Sequence, residues 1–207
     1  MSASTPPKMI PLFKVAGNPE RIAKAVQGVF ESGQIGQGPA VERFEQALST
    51  KLGNPYVLTV NSGTSALMLG LRLAGVGHGD WVATSPLTCF ATTAAILALG
   101  AKPWWVDIDL DSLGMDLHAL EEGLSIYWPR PKAVLVVHWG GYTVDLLSIK
   151  AVTKPFGLPI IEDCAHAYGA EYQSRPIGSH GNICAFSFQA IKHLTTVDGG
   201  ALTVPSE

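Results

Sequence analysis

Residues 133–138, Ala-Val-Leu-Val-Val-His, constrain the fold of this chain more than any other segment. Apolar residues follow one another there without alternation, and Val134, Val136 and Val137 are β-branched. Such a run reads as a strand buried on both faces. A sheet is covered on both faces when helices pack on each side of it, which favours parallel strands and an α/β fold. Shorter runs of this kind recur, separated by helical patterns, and predict strands at 56–60, 81–85, 103–107, 158–162, 183–188 and 201–204. Helices are expected at 64–74, 92–99 and 116–123, and Asp145 is placed to cap another. Ahead of these, Ile22, Val26, Val29 and Phe30 share one helical face, and residues 32–39 form a glycine-rich loop. Val41, Phe44 and Leu48 begin a second helix after Pro39.

The 207 residues suffice for one domain with a substantial core. A hydrophobic fraction of 47% and a charged fraction of 15% exclude a disordered chain. The net charge of −3, without a basic run, argues against a nucleic-acid partner. No apolar stretch is long enough to span a membrane. Residues 1–16 lack the apolar centre of a signal peptide and read as a flexible N-terminal arm, leaving 17–207 as the domain. Cys89, Cys164 and Cys184 are odd in number and widely spaced, which suits reduced thiols in a cytoplasmic protein. Asp163, Cys164 and His166 are metal-capable types, but no second cluster completes a zinc site, so no metal is expected. The last expected strand runs almost to Glu207, and a domain seldom ends on a bare strand. The chain is therefore expected to be part of a longer protein.

Three segments carry chemistry. In Asn61-Ser62-Gly63-Thr64-Ser65-Ala66, a glycine between strand and helix lets a ligand approach the backbone. The helix N-terminus and the Thr64 and Ser65 hydroxyls favour an anion such as phosphate. A plain capped turn reads the same way in isolation. The strand Ile160-Ile161-Glu162-Asp163 ends in acids, where ligands of open α/β sheets collect and where Asp163 can pair with a cationic nitrogen. Lys192 follows a buried strand among apolar neighbours, and desolvation there favours a nucleophilic amine over an ammonium ion. A surface lysine is the commoner fate. The three together are the parts of a site for pyridoxal phosphate (PLP): an anchor for its phosphate, a carboxylate for its ring nitrogen and a lysine for its aldehyde.

These residues resemble the DegT/DnrJ/StrS family of PLP-dependent sugar aminotransferases. The resemblance is carried by Gly63-Thr64-Ser65-Ala66, by the run from Glu162 to Ala170, and by Ser187-Phe188, Lys192, Thr195-Thr196 and Gly199-Gly200. Gly79-Asp80-Trp81-Val82, Gly100-Ala101-Lys102-Pro103 and Val137-His138-Trp139-Gly140-Gly141 agree as well. It implies the large domain of a fold-type-I PLP-dependent transferase, with a mainly parallel central sheet flanked by helices. The small C-terminal domain is then expected beyond residue 207. It also implies that Lys192 binds the cofactor as a Schiff base, that Asp163 partners the pyridinium nitrogen and that His166 lies near the phenolic oxygen. Gly63, Thr64 and Ser187 are implied as phosphate contacts, and Ser65, by its hydroxyl, is expected among the cofactor-binding residues. The family places an aromatic ring over the cofactor; here Cys89 takes that position with Phe90 beside it, so Phe90, Cys89 or neither covers the ring. The implied reaction moves an amino group from an amino-acid donor, glutamate by family habit, to a nucleotide-linked keto sugar. A homodimer is implied too.

Three other readings compete. A sugar dehydratase of the same family carries histidine at the lysine position, whereas this chain has Lys192 there, followed by His193. A catalytically incomplete or regulatory PLP-binding protein is the second. A nicotinamide-binding domain is the third, and it is poor because no G-x-G-x-x-G follows a strand.

Overall fold

The computed structural model describes residues 17–205; the arm expected at 1–16 lies outside the described residues. Two helices come first, α1 (Pro19–Ser32) and α2 (Pro39–Leu52). An alternating series follows: β1 (Val57–Val60), α3 (Gly63–Leu73), β2 (Trp81–Thr84), α4 (Phe90–Ala98), β3 (Lys102–Trp105), α5 (Leu117–Tyr127), β4 (Pro131–Val137), α6 (Leu146–Thr153) and β5 (Ile160–Asp163). A short hairpin, β6 (Glu171–Tyr172) and β7 (Arg175–Pro176), precedes β8 (Ile183–Ser187) and β9 (Gly200–Thr203).

Among the described residues one seven-stranded sheet runs in the order β1-β9-β8-β5-β4-β2-β3. β3, β2, β4, β5 and β8 are parallel, and β9 alone runs against both its neighbours. The sheet is thus mostly parallel and the fold α/β, as expected. The unbroken apolar run is explained by alternate burial. Val134 and Val136 of β4 pack in one core with Leu48, Leu120 and Ile149 of α2, α5 and α6. Leu135 packs in the other with Leu71 and Ile96 of α3 and α4. From Ala133 to Val137 every position of β4 is therefore buried and apolar, and only Lys132 near its start reaches solvent.

The helices start where capping chemistry places them. Asn18, Ser62, Asp116 and Asp145 each accept a backbone N–H three residues on, satisfying donors that the helix leaves unpaired. The apolar face of α1 is the exception to orderly burial: Ile22, Val26 and Phe30 are exposed, and no described residue covers them.

Two local features depart from expectation. β3 stops at Trp105, short of Asp107, because the chain turns into a loop closed by a bridge between Ile108 and Met115. The β6–β7 hairpin was not expected. Its turn places Gln173 and Ser174 at φ 49° and 60°, a left-handed pair without the glycine or asparagine that usually announces it.

Candidate active site

A cavity of about 410 Å³ opens where the carboxyl ends of β4, β5 and β8 meet the N-terminus of α3. That is where open α/β sheets collect their ligands. Gly63, Thr64, Asp163, His166, Ser187 and Lys192 all line it, although 129 positions separate Gly63 from Lys192. Ser65 and Phe90 do not line it. The Ser65 hydroxyl lies 3.0 Å from Ser62 Oγ, engaged in the N-cap. Phe90 opens α4 and is 73% exposed, whereas Cys89, just before it, forms part of the cavity wall.

The α3 end of the cavity is shaped by glycine. Ser62 Oγ accepts the Ser65 N–H at 3.1 Å. The N–H groups of Gly63 and Thr64 open the helix and have no carbonyl within it to donate to. Gly63 presses on β8 so closely that a Cβ there would lie 2.8 Å from Ser187 Cβ. A Cβ on Gly200 would lie 2.7 Å from the Gly63 nitrogen. Two missing side chains thus let three segments converge around a pair of free donors, a geometry that suits an anion.

Asp163 ends β5 and is only 5% exposed. Its Oδ2 accepts the Thr92 hydroxyl at 2.6 Å, and its Oδ1 accepts the Ala165 N–H at 3.1 Å. Glu162 points to the opposite face and is fully buried. Its Oε1 accepts from Asn182 at 2.7 Å, and its Oε2 lies 2.9 Å from His138 Nε2. His138 Nδ1 accepts the Val144 N–H at 3.2 Å, so the ring proton sits on Nε2 and is donated to Glu162. Ligand atoms of His138, Glu162 and Cys164 lie within 4.8 Å of one another. The His138 Nε2 proton is donated to Glu162, and the Cys164 thiol donates to the Glu162 main-chain carbonyl at 3.5 Å.

His166 sits across the cavity. Its Nδ1 accepts the Gly140 N–H at 3.3 Å, and its ring meets Trp139 edge-on at 5.3 Å. Burial holds its pKa below the ordinary histidine value, and the charge of Lys192 acts in the same direction. The neutral ring therefore carries its proton on Nε2. Lys192 comes from a loop tied at both ends. The Thr196 N–H and the Thr195 hydroxyl both reach the Phe188 carbonyl, at 3.0 and 3.1 Å. His193 Nε2 lies 2.6 Å from the Tyr168 carbonyl, which links the lysine loop to the segment bearing His166.

Two contributors to the site escaped sequence reasoning. Trp139 was visible only as part of a family-like segment. Thr92 was likewise read only within a family-like segment and at the start of an expected helix, with no role given to its hydroxyl.

The fold is that of PLP-dependent sugar aminotransferases. The chain belongs to the DegT/DnrJ/EryC1/StrS aminotransferase family, whose sequence model matches residues 18–207. It is 43% identical over 182 residues to the spore coat polysaccharide biosynthesis protein SpsC of Bacillus subtilis (strain 168), covering 88% of this chain and 46% of that protein. The structure of AtS13 from Actinomadura melliaura superposes with a TM-score of 0.89 at 50% identity, covering 98% of this chain and 55% of that one. The sugar aminotransferase CalS13 from Micromonospora echinospora gives 0.88 at 43%, covering 96% and 55%. The chain spans about half the length of these relatives. No described helix is long and apolar enough to cross a membrane.

Proposed function

We propose that residues 17–207 are the PLP-binding large domain of an aminotransferase that moves an amino group from glutamate to a nucleotide-linked keto sugar. The observation that carries this reading is the convergence of Lys192, Asp163 and the Gly63–Thr64 helix start on one cavity. The residues fit the cofactor. Its phosphate matches the free N–H pair that the Gly63 and Gly200 approach creates. Its ring nitrogen matches a buried carboxylate already held by two donors. The volume is that of a small-molecule site.

In this reading Gly63, Thr64 and Ser187 would bind the phosphate, Asp163 would hold the proton on the ring nitrogen, and His166 would lie near the phenolic oxygen. Lys192 would hold the cofactor through its amine, and as a free amine it would move the proton from Cα of the amino donor as general base and acid. Bound there, PLP supplies an electron sink for the substrate carbanion. The kinetics are ping-pong. The protein is a cytoplasmic homodimer in this reading, consistent with its free cysteines and family membership.

Reduction with borohydride after reconstitution with PLP tests the assignment. Mass spectrometry should find the cofactor fixed on Lys192, and Lys192→Ala should lose both the adduct and the visible absorbance. An adduct on another lysine, or unchanged absorbance in the variant, would overturn it. Omitting glutamate from a keto-sugar assay then separates transamination from dehydration.

A further inference from the structure

We infer that Thr92, backed by Thr88, is a positioning residue that aims the Asp163 carboxylate into the cavity. The inference rests on the reading of Asp163 as partner of the cofactor's ring nitrogen. Thr92 is fully buried in the first turn of α4, and its own N–H is tied to the Cys89 carbonyl at 3.1 Å. A rigid helix start therefore delivers its hydroxyl to the end of β5. The hydroxyl donates to Asp163 Oδ2 at 2.6 Å. Its single proton is then spent, so the 2.6 Å contact between Thr88 Oγ1 and Thr92 Oγ1 must have Thr88 as donor. The result is a directed chain, from the Thr88 hydroxyl through the Thr92 hydroxyl to Asp163 Oδ2, starting at a residue of the cavity wall.

The chain matters because a carboxylate can rotate about its last bond. With Oδ1 held by the Ala165 N–H and Oδ2 by Thr92, both oxygens have fixed directions, and the remaining lone pairs keep one orientation toward the cavity. Without Thr92, one oxygen in a nearly dry site loses its donor. Hydrogen bonds to charged groups are the strong ones, and donors linked in a chain reinforce one another. The carboxylate then becomes a poorer and less directed partner for a cationic nitrogen.

The test compares wild type, Thr92→Val and Thr92→Ser in the full chain. Two ligands are titrated by quenching of tryptophan fluorescence: PLP, and its 1-deaza analogue, in which carbon replaces the ring nitrogen. Thr92→Val keeps the shape and removes the donor. It should weaken PLP by about tenfold, the scale of one charge-assisted hydrogen bond, and leave the deaza analogue unchanged; Thr92→Ser should restore PLP binding. A packing defect would weaken both ligands alike. Equal losses, or no loss for PLP, overturn the inference while the assignment of Lys192 stands. A wild type that does not distinguish the two ligands overturns the pairing of Asp163 with ring nitrogen as well. If Thr92→Val fails to fold, Thr88→Val carries the test from the cavity wall, with a smaller loss expected for PLP alone; equal PLP binding there overturns the inference.

Discussion

Gly63 and Ser187 sit so close that the sequence has no room for a side chain between α3 and β8: an added Cβ would lie 2.8 Å from Ser187 Cβ. Gly63→Ala must push the helix start off the strand or displace Ser187. Overpacking of this kind costs about 1–3 kcal/mol, readable as a lower urea midpoint. The larger effect should fall on ligand binding, because the free N–H pair moves with the helix. Calorimetry should show PLP affinity reduced more than stability alone explains; wild-type affinity in a folded Gly63→Ala variant would contradict the cradle.

His166 should make stability depend on pH. Burial, and then the charge of Lys192, hold its folded pKa below the ordinary value of 6.5. The unfolded chain therefore takes up a proton near that ordinary value while the folded chain takes it up only at lower pH. Stability is undiminished above this window and falls as pH drops through it. His166→Gln has no such proton to bind. The stability of wild type minus that of the variant should thus decrease between about pH 8 and about pH 5 in paired urea titrations, since the other ionisable groups cancel in the difference. A flat difference would refute the shift.

Glu162 holds two donors in a fully buried place, the His138 ring and the Asn182 amide. Glu162→Leu strands both. Breaking one side of a buried polar pair costs on the order of 3 kcal/mol, and chemical denaturation should show a loss of that size. Glu162→Gln should cost less, since its amide oxygen still accepts one of the two bonds. Zinc should not raise the melting temperature of wild type, because His138 and Cys164 already donate to Glu162; a clear upward shift would mark the trio as a metal site.

Cys89 should react with iodoacetamide far faster than Cys164. Cys89 is exposed on the cavity wall, whereas burial pushes the Cys164 thiol well above its ordinary pKa and removes it from solvent. Bound PLP should slow the Cys89 reaction, and peptide mapping reads both effects. Equal labelling with and without the cofactor would place Cys89 outside the bound ligand's reach.

What could be read in the sequence was whatever depends on local pattern. The β4 run announced a doubly covered strand because Ala133 to Val137 are apolar without alternation, and Ala133 to Val136 each face a core. Asp145 was legible because a cap needs only its own helix. Gly63, Asp163 and Lys192 were legible through the conjunction of three chemical types. What stayed hidden depends on partners distant in the chain. Thr92 became meaningful only once α4 was seen to lie across β5. The antiparallel course of β9 could not be read, since an apolar strand looks the same in either direction. The β6–β7 turn was silent because Gln173 and Ser174 adopt left-handed backbone that their residue types do not advertise.

The reversed course of β9 sets an order of events. Among the described strands β1 is made first, yet its one partner among them is β9, the last of the described strands, with Val57 opposite Thr203. Most of the parallel sheet can assemble while the chain is still growing. β1 must wait, with Ser62 and Gly63 unsupported, until Gly200 slides beneath them. Contacts so distant along the chain close slowly. The anion cradle is consequently among the last parts of the described fold to form, and a nascent chain cannot hold a phosphorylated ligand there before β9 has been synthesised.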